Sequence, residues 1–343
     1  MRPFELIKAH SAAHAIALAA KGSRAEVPLA SPVQYLAGGT NLIDLMKLEV
    51  ATPSCLVDLQ ALADRYATIE MNSDGLHMGT LVRMAQAADH SVLRRDYPVL
   101  SDALRMAASP QLRNMATLGG NVLQRTRCNY FRDTSWHACN KRLPGSGCAA
   151  IGGVSRRLAV LGVSPDCIAN YPGDFGIALV ALGASVEVLS LDGHLRHMLF
   201  EDLHRTPGST PHRETNLATD ELLVAIVVPA GPWTRRSLYL KVRDRASYDF
   251  ALASAAVALE LDTAGAVVTA RIGLGGLVAK PWRAHVAETL LTGRQLNEDS
   301  AHEAAEVAFA DATIHDGTRF KPELGRQTLV RALLQAADME VSR

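Results

Sequence analysis

Four cysteines, Cys128, Cys139, Cys148 and Cys167, fall within one forty-residue window, and the fifth, Cys55, stands apart. None of the four forms a CxxC pair, the close spacing that structural zinc sites usually use. Iron–sulfur clusters are also held by thiolates and accept irregular spacing when a folded loop presents the ligands. Arg125, Arg127, Arg132, Lys141 and Arg142 crowd the same segment. Cations there favour thiolates and offset the negative charge of a thiolate-ligated centre. The spacing alone leaves three readings open: an iron–sulfur cluster, a zinc ion, or inert or disulfide-forming thiols. An odd cysteine count in a chain of 343 residues argues against a disulfide framework.

Two glycine pairs offer a second chemistry. In "AGGTN", Ala37 to Asn41, the pair follows a strand-like run and precedes a helix-like one. Without a Cβ, Gly38 and Gly39 let backbone N–H groups come close to an anion. The helix start adds aligned dipoles and free donors, with Thr40 and Asn41 as side-chain partners. A pyrophosphate requires that combination. "TLGGN", Thr117 to Asn121, reads as a second turn of this kind. Neither is the GxGxxG fingerprint, which disfavours nicotinamide-type folds. The twelve histidines are scattered and read as surface or structural residues.

Elements must position these groups. Ala12, Ala13, Ile16, Ala17 and Ala20 recur at helical spacing behind a short strand, so the N-terminus reads as an amphipathic helix. A signal peptide is not recognised there, since His10, Ser11 and His14 interrupt the apolar run. Residues 33–59 read as strand, glycine turn, helix, loop and strand. Residues 75–109 repeat the plan with a short strand, Gly79 and two helical stretches. From about Asn121 to Val163 periodicity is poor, and Gly, Arg and Cys dominate, as in a long functional loop. A helix then leads into a hairpin turning at Asp192-Gly193, and "DELLVAIVVP" supplies a strand. Another hairpin turns at Ala264-Gly265, and helices follow. Length suggests two domains, 1–229 and 234–335, with a cysteine-bearing loop at about 121–170. Balanced charge, 35 basic against 35 acidic residues, disfavours nucleic acid and membrane surfaces as partners. No apolar stretch is long enough to span a bilayer.

"YLAGGTNLIDLMK", "QLRNMATLGGNVLQRTRC" and "YPGDFGIALVALGA" resemble the FAD-binding subunits of the xanthine dehydrogenase family of molybdo-flavoenzymes. "KVRDRASYDFALASAAVAL" and "AKPWRA" carry the resemblance into that family's C-terminal domain, so it covers essentially the whole chain. "NVLQRTRCNYFRD" and "CNKRLPGSGCAA" are similar to the periplasmic aldehyde oxidoreductase branch in particular, although Asn129 stands where that branch usually has proline.

The resemblance implies an α+β fold: a two-subdomain FAD-binding domain of the vanillyl-alcohol-oxidase-like type, then a smaller α+β domain. It implies non-covalent FAD, with Ala37, Gly38, Gly39, Thr40, Asn41 and Leu42 around the pyrophosphate and Thr117, Gly120 and Asn121 in the second contact loop. Asp174 corresponds to a nucleotide-contacting aspartate, and Leu223 and Lys241 to positions near the flavin ring. Cys128, Cys139, Cys148 and Cys167 correspond to [4Fe-4S] ligands, and Cys55 is left as a structural residue. The implied function is electron transfer within a heterotrimeric molybdenum aldehyde oxidoreductase. Its large subunit carries molybdenum, its small subunit carries [2Fe-2S] clusters, and FAD on this chain passes electrons to an external acceptor. A related molybdenum hydroxylase acting on an N-heterocycle or an aromatic acyl-CoA is the alternative. Two readings outside the complex stand beside these: a self-sufficient flavin enzyme and a zinc-stabilised assembly module. No proton-transfer residue is assigned. The expected location is periplasmic by co-export with a signal-bearing partner, or cytoplasmic.

Overall fold

The computed structural model describes residues 1–22 and 25–341. Three sheets organise them. The first is parallel, with β1 (Glu5–Lys8) and β2 (Val33–Leu36) flanking β3 (Cys55–Asp58). The helix Ala12–Ala20 starts where Ser11 accepts a hydrogen bond from the His14 N–H, and it buries Ala15, Ile16 and Ala19. The alanine periodicity thus does form the expected helix after a short strand.

The second sheet is antiparallel, in the order β4 (Ile69–Asn72), β5 (Gly75–Gly79), β8 (Leu222–Val228), β6 (Ser185–Leu189) and β7 (Leu195–Leu199). β6 and β7 are the hairpin read at Asp192-Gly193. The strand in "DELLVAIVVP" lies in the middle of this sheet, between β5 and β6. Its burial on both faces explains its unbroken apolar run. Where two helical stretches are expected between Gly79 and Ser109, three short helices form, Met84–Asp89, Ser91–Asp96 and Pro98–Met106, and Pro110–Met115 follows directly. Prolines at the starts of the last two divide the run, because proline is accepted at a helix N-terminus and not inside one.

The third sheet holds β9 (Ser237–Val242), β10 (Ala253–Leu261), β11 (Val267–Gly275) and β12 (Trp282–Arg283), all antiparallel. The helices His285–Leu291, Glu298–Ala308 and Lys321–Ala337 belong with it. Its faces share one apolar core with the second sheet through the helix Phe175–Leu182, every residue of which is buried. That helix is apolar all round because it has protein on every side. Among the described residues no helix is long and apolar enough to cross a membrane.

Residues 121–170 have little regular structure beyond the short helix Asn129–Arg132, yet they are firmly held. Val160 and Leu161 donate backbone hydrogen bonds to Leu277 beyond β11, and Cys128, Phe131, Cys167 and Ile168 are buried in a separate core. Leu45 and Met46, from the helix Leu42–Lys47, complete that core.

Candidate flavin cleft and cysteine group

The strand β2 delivers the chain into the first glycine turn, and the helix Leu42–Lys47 leaves it. Gly39 sits at φ +73°, a left-handed conformation that glycine adopts without strain. Gly38 has a different constraint. A Cβ there would strike the Met115 carbonyl and come within 2.9 Å of the Ala116 Cα, so the close approach of the second segment requires glycine. The second glycine pair is not a turn ahead of a helix. Thr117 caps the short helix Leu118–Val122, its Oγ1 accepting from the Gly120 N–H at 3.2 Å, and both glycines lie inside that helix.

The two segments meet along one wall of a cleft of about 710 Å³. This is within the usual range for small-molecule and cofactor sites. Ala37, Gly38, Gly39, Thr40, Asn41 and Leu42 all line it, as do Thr117, Gly120 and Leu223. Asn121 follows directly on that wall segment. The buried Asn41 Nδ2 and Asn121 Oδ1 have no partner among the described residues. Unpaired buried polar atoms are costly, so the free Asn41 Nδ2 on the cleft wall fits a polar ligand, whereas Asn121 is not itself in the lining.

Asp174 and Lys241 lie elsewhere. Asp174 precedes the helix Phe175–Leu182, and its Oδ2 is 2.8 Å from the Lys241 Nζ. The Tyr239 hydroxyl donates to Asp174 Oδ1 at 2.7 Å, which leaves it to accept from the Ser254 hydroxyl at 2.8 Å. Lys241 also donates to the Met106 carbonyl at 3.0 Å. Burial pushes the Asp174 carboxyl up, and Lys241 and Tyr239 oppose that shift. Both residues join the third sheet to the helix Phe175–Leu182, and neither is in the lining of the cleft.

Three residues that sequence reading did not single out stand in the cleft wall. Tyr35 places a buried hydroxyl there without a partner among the described residues. His204 is buried, with Nε2 2.9 Å from the Val122 carbonyl and its ring edge-on to Tyr171. Burial drives its pKa down to about 4, so the ring is neutral and donates from Nε2. Glu214 accepts from the Lys141 Nζ at 2.8 Å and pairs with the Arg125 guanidinium. Burial works against its charge, but Arg125 and Lys141 outweigh it and hold the carboxyl below its usual range. Nothing in "PHRETN" marks the glutamate as buried; its partners come from segments far away in sequence.

The four cysteines meet behind the helix Leu42–Lys47. Cys128, Cys139 and Cys167 are buried in the core that Leu45 and Met46 complete, and Cys148 packs against it half-buried. All four are free thiols, and Cys139 and Cys148 face each other across an isolated bridge. A hydrogen bond from Cys167 brings Cys148 down to about 6 and pushes Cys167 up. Burial raises Cys128 to about 11. Backbone N–H groups of Tyr130 and Phe131 point at the Cys128 sulfur, those of Ala150, Ile151 and Ile168 at Cys148, and that of Ala169 at Cys167. Among the described residues no group of three or more His, Cys, Asp or Glu is placed to hold a metal ion. The four thiols gathered in one core, three of them with backbone N–H groups beside the sulfur, are the candidate set for a thiolate-held centre. Cys55 lies in β3, away from the four. Tyr130 and Phe131 are packing residues, and the Tyr130 hydroxyl accepts from the Val154 N–H at 2.7 Å.

A sequence model of the FAD binding domain in molybdopterin dehydrogenase matches residues 2–231. One for the CO dehydrogenase flavoprotein C-terminal domain matches residues 238–341. The aldehyde oxidoreductase FAD-binding subunit PaoB of Escherichia coli (strain K12) is 46% identical over 304 residues, 88% of this chain and 91% of that protein. The carbon monoxide dehydrogenase medium chain of Afipia carboxidovorans is 26% identical over 97% of this chain and 96% of its own length. A solved structure of a Cu,Mo-CO dehydrogenase superposes with a TM-score of 0.73 at 25% identity, covering 98% of this chain and 99% of that one. These relatives are subunits of dehydrogenases and oxidoreductases. With two glycine segments on one cleft and a matching C-terminal unit, the chain belongs to the family of FAD-binding subunits of molybdopterin dehydrogenases.

Proposed function

We propose that this chain is the FAD- and [4Fe-4S]-bearing electron-transfer subunit of a molybdenum aldehyde oxidoreductase, working with a large molybdenum subunit and a small [2Fe-2S] subunit. One observation carries the reading. The helix Leu42–Lys47 presents Leu42 and Leu45 to the cleft and packs Leu45 and Met46 against the cysteines, so a single element borders both sites. Identity with a protein named as the FAD-binding subunit of an aldehyde oxidoreductase supports the substrate class.

When bound, the flavin supplies exchange between two-electron and one-electron chemistry, and the cluster supplies a one-electron site. The chain's own residues bind and shield. N–H groups of the first glycine turn, Gly38 to Asn41, are the donors for a pyrophosphate, with Asn41 Nδ2 as a further donor. The Thr117-capped helix, whose own N–H groups are paired within the protein, supplies the adjoining wall. His204 and Tyr171 form an apolar-backed wall that excludes water, and the neutral imidazole adds no charge to it. Cys128, Cys139, Cys148 and Cys167 are the thiolates for the cluster.

Iron, acid-labile sulfide and extractable flavin on anaerobically purified chain test the proposal. About four irons, four sulfides and one non-covalent FAD per chain are expected. Flavin without iron would remove the cluster and leave the cysteines as zinc ligands or plain thiols. Folded protein lacking both would overturn the proposal.

A further inference from the structure

The cleft wall nearest the cysteine segment carries a largely buried charge group. Glu214 pairs with Lys141 through one carboxylate oxygen and with Arg125 through the other. All three residues line the cleft. Lys141 is 7% exposed, and its Nζ also donates to the Pro211 carbonyl at 3.3 Å, so two acceptors pin the ammonium. It is two residues from Cys139 and within electrostatic reach of the Cys167 sulfur. Arg125 carries its guanidinium over the Phe131 ring at 5.6 Å, while its backbone N–H holds Asn41 in the glycine turn. Two cations against one carboxylate leave a net positive charge in the cleft wall, with Lys141 buried and Arg125 and Glu214 half-buried.

We propose that Lys141 is the cation that raises the reduction potential of the cysteine-held centre, and that Glu214 is the anion paired with it that partly offsets this effect. The inference rests on the cluster reading above. A fixed cation stabilises the more negative, reduced state of a neighbouring redox group and so raises its potential, and a nearby anion lowers it. The buried ammonium of Lys141 is screened by salt less than an exposed charge is. Arg125 and Arg127 also stand in the segment leading to Cys128, but Arg127 is turned to Asp44 and the Phe250 ring.

The test is the midpoint potential of the cluster, read by EPR-monitored redox titration on the flavin-loaded full chain. Wild type, Lys141→Met, Lys141→Arg and Glu214→Gln are compared, with iron measured on each. K141M is expected to shift the potential downward, E214Q to shift it upward, and K141R to stay near wild type. A purely structural role for the ion pair would move both broken-pair variants in the same direction or neither, and either result overturns the inference. Should K141M fail to retain iron, E214Q decides by itself: an upward shift supports the inference, and no shift or a downward one overturns it. Wild-type chain without iron would instead bring down the cluster reading and this inference with it.

Discussion

Asn41 accepts a hydrogen bond from the Arg125 backbone N–H at 3.0 Å, tying the first glycine turn to the opening of the cysteine loop. Its Nδ2 remains free, so one side chain faces a structural partner and a ligand position at once. Asn41→Asp keeps the acceptor for Arg125 but replaces the free donor with a charged oxygen. Its thermal stability should stay near wild type while FAD affinity falls at least tenfold, as measured by flavin fluorescence titration. Asn41→Ala should lose both, with stability down by about 1–3 kcal/mol for the unpaired N–H.

Gly38→Ala tests how close the two glycine segments lie. The added methyl meets backbone at Met115 and Ala116, which cannot swing aside as a side chain tip can. A loss of about 1–3 kcal/mol in urea denaturation is expected, together with weaker FAD retention. Unchanged stability would mean that the two segments lie farther apart than described.

The cysteines should divide four against one. Cys148→Ser is expected to lose most of its iron, whereas Cys55→Ser should keep its iron and flavin, because Cys55 sits in β3, paired with Glu5 of β1 and Val33 of β2 and outside the core that holds the other four. Metal analysis of the two variants side by side is the check.

His204 gives the fold a pH dependence. Its pKa falls from an ordinary 6.5 to about 4 on folding because burial disfavours the imidazolium. The unfolded chain therefore binds the proton more readily. The stabilisation from a neutral His204 is complete above pH 6.5 and is lost as the pH falls from 6.5 towards 4, up to about 3 kcal/mol. His204→Gln removes the titrating group, and its urea midpoint should fall less steeply across that window than the wild-type midpoint does.

The buried pair of Asp174 and Lys241 should separate stability from flavin binding. Asp174→Ala leaves the lysine uncompensated and should cost about 3–5 kcal/mol, while Asp174→Asn, which can still accept from Tyr239, should cost less. If FAD affinity in the asparagine variant matches wild type, the residue acts through packing. A large affinity loss at near-normal stability would restore it to the cofactor site.

Local patterns carried much of this protein. The helix Ala12–Ala20, the strand–glycine–helix unit at Val33–Lys47 and the hairpins at Asp192-Gly193 and Ala264-Gly265 were legible because neighbours in sequence decide them, through periodicity, caps and turn residues. The first glycine motif announced an anion-binding turn for the same reason, whereas the cysteine spacing left an iron–sulfur cluster, a zinc ion and plain thiols open, and the second glycine pair lies inside a short helix. The number of helices after Gly79 was harder, since the prolines that start new helices also sit within a continuous apolar pattern. Only tertiary structure decided which residues meet. Lys141 and Glu214 are 73 positions apart, and Asp174 and Lys241 are 67 apart. Sequence reading set Lys141 beside the thiols and Asp174 and Lys241 beside the nucleotide and flavin, and in no case named the opposite charge that each one meets. Burial turns them into pairs, because a charge removed from water must find its opposite, and only the folded chain determines which one is within reach.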